Sequence, residues 1–159
     1  MASDDSGITV DHVQGIIDRS PFLSWVGLKV VALDDDSIEA TATWRPEWVA
    51  NPVVGQTQGG IHAALIDFAA NFALIRRMGG PVLTIDLMID YHRVARKGDL
   101  TVRGKVVKFG RTVASSHAEV FDAEGRLIAS GRGAFLSTGT SEKTAGANPS
   151  GAAGGGSGA

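Results

Sequence analysis

Among the residues of this 159-residue chain that have the type and setting for chemistry, Asp67 stands first. It lies inside QTQGGIHAALIDFAANFALIRRMGG, residues 56–80, where two glycines run into a segment that is apolar nearly all round. A carboxylate there must reach water, find a partner or react, because burying an isolated charge is very costly. The chemistry open to it is that of a general base or a nucleophile. As a structural group it would instead bond backbone amides or an arginine across an interface, and the residues alone leave both readings open.

Other reactive constellations are missing. His12, His62, His92 and His117 show no HxxxH or HExxH spacing for a metal, so no metal site is expected. No GxSxG elbow is present, and the Gly-Gly pairs lack the spacing of a Walker or dinucleotide loop. The chain has no cysteine, which removes disulfides, thiolate nucleophiles and cysteine zinc sites. A formal net charge of -2 gives no basic excess for nucleic acid or an anionic membrane. The start MASDDSGITV lacks a signal-peptide pattern and no apolar run could span a bilayer, so a cytoplasmic protein is expected.

The elements that must position Asp67 can be read from periodicity and punctuation. One domain is expected over residues 8–138, with a flexible stretch at 1–7 and a disordered Gly/Ala/Ser-rich tail at 139–159. ITVDHVQGIIDRS reads as a short amphipathic helix capped by Thr9 and ended by Pro21. VGLKVVAL and SIEATATW, separated by DDD, read as a hairpin. A proline-bearing connection leads to the helix, and four strand-like runs follow Gly79-Gly80-Pro81. The links between them, ARKGD, GR and AEG, suit adjacent antiparallel strands. Two strands, one long helix and four strands make an α+β architecture, with about six antiparallel strands against one helix.

On a helical wheel, Ile61, Ala64, Leu65, Phe68, Phe72 and Ile75 form one stripe expected to face the sheet. Asp67 falls about 100° from Phe68 and about 140° from His62, so no His62–Asp67 pair is expected within the helix. The run from Ile61 to Ile75 has so little polar surface that a second subunit is expected to cover its other side, with Asp67 at the seam.

The order of elements, together with Gly59-Gly60 followed by Leu65-Ile66-Asp67, resembles the hotdog-fold acyl-CoA thioesterases of the PaaI-like, 4-hydroxybenzoyl-CoA thioesterase type. Further echoes are Tyr91-His92-Arg93-Val94-Ala95-Arg96-Lys97-Gly98-Asp99, the Gly110-Arg111 turn and the turn from Asp122 to Gly125. The resemblance implies a hotdog fold and hydrolysis of an acyl- or aryl-CoA thioester at a dimer interface, in a homodimer or tetramer. Asp67 would then attack the thioester or activate water, and the Gly59 N–H at the helix start would polarise the carbonyl. Thr84 matches a hydroxyl residue that helps hold the attacking water, or else is a plain strand threonine. Gly60 and Asn51 would lie against the substrate, Asn51 one residue out of register with the family's loop asparagine. Asn71, one turn beyond Asp67, would orient the carboxylate or face the partner. Coenzyme A enters as part of the substrate, with no separate cofactor, and its phosphates would need Arg93, Arg96, Lys97, Lys108 and Arg111, brought together by two neighbouring turns.

Two departures from the family pattern stand out: Gln58 replaces the motif histidine, and Val94 replaces a proline. Glutamine still donates and accepts hydrogen bonds but cannot become an imidazolium. His62 reads as a structural or interface histidine. Phe68, Phe72, Trp44, Trp48 and Met78 read equally as core or as an acyl pocket. The fold also leaves open a non-catalytic acyl-CoA sensor or a dehydratase or hydratase.

Overall fold

The computed structural model describes residues 7–138. The expectations for residues 1–7 and 139–159 therefore lie, Gly7 apart, outside the described residues. Helix α1 spans Val10–Arg19, with the Thr9 hydroxyl accepting from His12 N as the cap. Pro21 does more than end it. Its fixed φ and missing N–H suit a first helical turn, and it opens α2, Pro21–Val26, behind a Ser20 cap. Strands β1, Leu28–Leu33, and β2, Ser37–Ala42, form the expected hairpin.

The proline-bearing connection carries structure of its own: a 3-10 turn, Pro46–Trp48, and a small pair, β3 (Val49–Asn51) with β4 (Gln56–Thr57). Helix α3, Gly59–Phe72, follows directly. The expected continuous run to Ile75 is interrupted at Ala73 and Leu74, after which α4, Ile75–Met78, ends at Gly79 with φ 76°. Arg77 of α4 grips both carboxylate oxygens of Asp36 in the β1–β2 turn. The remaining strands are β5 (Thr84–Tyr91), β6 (Leu100–Phe109), β7 (Val113–Phe121) and β8 (Leu127–Leu136).

Six strands form one antiparallel sheet in the order β1-β2-β6-β7-β8-β5. The short link before β6 had suggested that β5 and β6 are neighbours; instead β5 pairs with β8 and β6 with β2. The eight residues 92–99 can reach about 26 Å when extended, whereas crossing three strand spacings needs only about 14 Å. Link length therefore permits the crossover.

α3 lies across this sheet at a distance set by glycine. A Cβ on Gly104 of β6 would collide with the carbonyl of Ala69, and one on Gly131 of β8 would come within 2.8 Å of Ile66 Cγ2. The expected stripe is thus rotated: Ile66 and Ala69, which lay outside it, make the closest approach, while Ala64 is only half-buried. Long residues of the stripe, Leu65, Phe68 and Phe72, are still buried. Among the described residues no helix is long and apolar enough to cross a membrane.

The two edges of the sheet differ. At β1, the Gln14 side chain of α1 accepts from Val30 N at 3.0 Å and donates to Leu28 O at 3.2 Å. At β5 no strand among the described residues pairs on the outer side, and Ile85 (55% exposed) and Met88 (52%) stand open.

Candidate active site

The amino-terminal end of α3 is built from backbone. Thr57 N donates to Ala95 O at 2.9 Å and Gln58 N to Trp48 O at 2.7 Å, fixing the entry into the helix. Gln58 has φ -62° and ψ 131°, and its side-chain Oε1 accepts from Gly60 N at 3.1 Å. Its carbonyl accepts from Ile61 N at 3.0 Å. Gly60 and Ile61 are thereby satisfied, and among the described residues none accepts from the Gly59 N–H. Gln58, where the family pattern has histidine, is thus a helix cap that leaves one donor free.

Tyr91, at the end of β5, closes over this turn. Its hydroxyl donates to Gly59 O at 3.0 Å, and a Cβ at position 59 would lie 3.2 Å from its ring. Tyr91 was visible in the motif YHRVARKGD, yet no role was read for it.

Asp67 stands half-buried farther along the same helix, where Thr84 Oγ1 donates to its Oδ1 at 2.9 Å. Eight residues of α-helix separate Gly59 from Asp67 by about 12 Å along the axis. One thioester carbonyl cannot touch both within one chain. Asn71 does not orient this carboxylate: it donates to Val82 O at 2.6 Å and accepts from Val82 N at 3.0 Å, using both ends of its amide to anchor the approach to β5. Asn51 is turned into its own loop, accepting from Val53 N at 3.0 Å.

A cavity of about 360 Å³ opens beside Gly59, with Gln56, Thr57, His62, Tyr91 and Arg93 on its wall. His62 is 3% exposed, its ring 6.1 Å from that of Tyr91, and burial holds its pKa below the usual 6.5. Neither the spacing nor the wheel had placed His62 or Thr57 in a cavity; only the fold around β4 and β5 does so.

The five basic residues do not form one cluster. Arg93 and Arg96 line a second cleft of about 290 Å³ with Arg126, next to the first and sharing Arg93 and Val94 with it. Arg93 also donates to Leu127 O at 3.1 Å, and Arg126 is paired with Asp122 and Glu124. Lys97 lies over the Trp44 ring at 5.2 Å. Lys108 and Arg111 sit at the other end of the ten-residue β6. At the rise of an extended strand that is about 30 Å away. The expected meeting of two neighbouring turns fails because β6 runs between them. Of the acyl-pocket candidates, Trp48 is fully buried and the Phe68 ring lies tilted against that of Phe72 with centroids 4.6 Å apart, as core residues do.

Comparison with known proteins agrees with this architecture. A family model described as the thioesterase superfamily matches residues 57–129. A Halobacterium salinarum protein named a "putative esterase" is 34% identical over 146 residues, covering 85% of this chain and 96% of its own length. A solved structure described as a protein from the thioesterase superfamily is 40% identical, covers 80% of this chain and 96% of its own, and superposes with a TM-score of 0.77. The phenylacetic acid degradation protein PaaI from Thermus thermophilus, solved as a mutant, is 29% identical over 74% of this chain and 98% of its own, with a TM-score of 0.66. With its six-stranded antiparallel sheet, its central helix and these relatives, the chain belongs to the thioesterase superfamily and has the hotdog fold.

Proposed function

We propose that the protein hydrolyses an acyl- or aryl-CoA thioester to the free acid and coenzyme A, at a site shared between two subunits. The observation that carries this reading is the division of labour along α3. A free N–H stands at Gly59, and a carboxylate bonded to Thr84 stands at Asp67, about 12 Å farther on. A second copy supplies the missing half.

The open β5 edge offers the way to bring the halves together. In an antiparallel pair of two β5 strands centred on Met88, Tyr91 of one copy faces Ile85 of the other, beside Thr84 at the β5 bulge. Thr84 holds Asp67 and Tyr91 holds Gly59, so that register sets the partner's Asp67 beside Gly59. An interface at a two-fold axis is the commonest way for soluble chains to associate.

In this arrangement the thioester oxygen accepts the Gly59 N–H, which with the helix dipole stabilises the oxyanion. The partner's Asp67 takes a proton from water as the water oxygen bonds to the carbonyl carbon. Collapse of the tetrahedral intermediate breaks the C–S bond, and the proton passes to the leaving thiolate. The same carboxylate can instead bond to the carbonyl carbon itself, breaking the C–S bond and releasing the thiolate, which takes up a proton; water then opens the resulting anhydride to the free acid and the original carboxylate. The arginine-lined cleft beside the cavity suits the phosphates of coenzyme A.

The test is release of free thiol from a panel of acyl- and aryl-CoA thioesters. The wild type is expected to turn over at least one, and Asp67→Asn to lose about 10²–10⁴-fold in kcat. Unchanged turnover in Asp67→Asn would remove the role of Asp67, and tight binding without turnover of any thioester would make the protein a sensor.

A further inference from the structure

The cavity beside Gly59 contains two polar side chains that the hydrolysis described above does not use. Both ring nitrogens of His62 and the hydroxyl of Thr57 are buried with no hydrogen-bond partner among the described residues. The two residues are 3% and 2% exposed, and both line the cavity. Buried polar groups are nearly always paired, and leaving one unpaired carries a substantial desolvation cost. Two such groups on one cavity wall are what a binding site looks like before its ligand arrives.

Position says which part of a ligand would meet them. The cavity lies between the free N–H of Gly59 and the arginine cleft, sharing Gly59 with the first and Arg93 with the second. A coenzyme A thioester with its carbonyl at Gly59 and its phosphates at the arginines must thread the connecting arm through this cavity. That arm carries amides, the nearest roughly 5 Å from the thioester carbon at ordinary bond lengths. His62 follows Gly59 by three residues, about 4.5 Å along the helix. A neutral imidazole offers one donor and one acceptor, as does a hydroxyl, and an amide needs one of each.

We propose that His62 and Thr57 recognise an amide of the carrier arm, so that the enzyme selects its substrates by the thiol that carries the acyl group. The inference rests on the thioesterase reading for the place of the carbonyl. Tyr91, more than half exposed beside His62, is the part of the wall with freedom to turn aside as the arm enters.

The experiment compares one acyl group on three carriers: pantetheine, N-acetylcysteamine and an alkanethiol of similar length with no amide. All three lack the phosphates, so the arginine cleft does not enter. The wild type is expected to favour the two amide carriers over the alkanethiol by at least about tenfold in kcat/KM, one lost hydrogen bond's worth. His62→Phe and Thr57→Val are expected to bring that ratio toward one. Equal turnover of all carriers by the wild type, or full discrimination in both folded variants, overturns the proposal. If no thioester is hydrolysed, the thioesterase reading fails, and the wild type labelled with ¹⁵N-histidine is titrated with free pantetheine. A shift of the His62 ring resonances upholds amide recognition; saturating pantetheine with no shift at His62 overturns it.

Discussion

The two edges of the sheet face the same problem and solve it differently. At β1, Gln14 reaches from α1 and satisfies the backbone of Leu28 and Val30, so the edge is closed within the chain. At β5 the outer backbone groups have no neighbouring strand among the described residues, and Ile85, Met88 and Tyr91 are exposed along the same strand. A long apolar edge left open is a template for another chain. The closed edge lies away from the proposed site, whereas the open edge begins at the threonine that holds Asp67 and ends at the tyrosine that holds Gly59. One edge is finished by folding, and on the proposed pairing the other is finished by assembly.

The largest effect that could break this contrast is a complementation. Asp67→Asn removes the carboxylate, and Gly59→Pro removes the donor. Proline fits this first helical position, the preceding Gln58 already has extended backbone angles, and Tyr91, against which the ring would press, is exposed enough to shift. Gly59→Pro is expected to lose about 10²–10³-fold in kcat. Mixed and allowed to exchange subunits, the two inactive proteins are expected to regain about a quarter of wild-type activity. Half the dimers are then mixed, and each has one intact site. Restoration of nothing would mean that both groups act within one chain.

A smaller effect tests the open edge directly. Met88→Glu sets like charges against each other near the two-fold axis of a β5 pair, where facing like charges are destabilising. Sedimentation is expected to show dissociation, with activity falling in parallel as protein concentration is lowered. A stable dimer with full activity would move the interface elsewhere.

The smallest effect belongs to the closed edge. Gln14→Leu removes both bonds to β1, and denaturant unfolding is expected to show a loss of about 1–2 kcal/mol. Assembly and kcat should stay as in the wild type, because this edge takes no part in pairing. A change in oligomeric state would show that the edges are not independent.

Much of the architecture could be read from the chain before folding. The period of the α1 apolar residues, the DDD turn and the alternation of the late strands each encode a local element, and local elements were found where expected. What failed was long-range. The partner of β5 is set by which strand completes the surface under α3, and the brevity of ARKGD carries no information on that. The face α3 turns to the sheet depends on Gly104 and Gly131, which lie far along the chain from the Ala69 and Ile66 they meet. For the same reason the wheel centred its stripe on the bulky Phe68 and missed Ala69, whose small side chain permits the closest packing. At the site, the Gly59–Asp67 spacing was visible and its meaning was not: on a helix, eight residues is a distance, and the distance is too great for one carbonyl. His62 and Thr57 carried no signal, since a buried polar group is recognised only once its surroundings are known.

Gly104 sets the α3 backbone at Ala69 directly on β6, and Gly131 makes room on β8 for the Ile66 side chain. Most cores can be deepened by trimming a residue or raised by adding one, but at Gly104 there is nothing to trim, and the first added carbon already collides with the Ala69 carbonyl. The height of the helix over β6 is therefore closed to variation at position 104, and both halves of the proposed site are carried at that height. A redesign aimed at other carrier arms would have to work from the rim of the cavity, at positions such as Tyr91 and Val94, and leave 104 and 131 as they are.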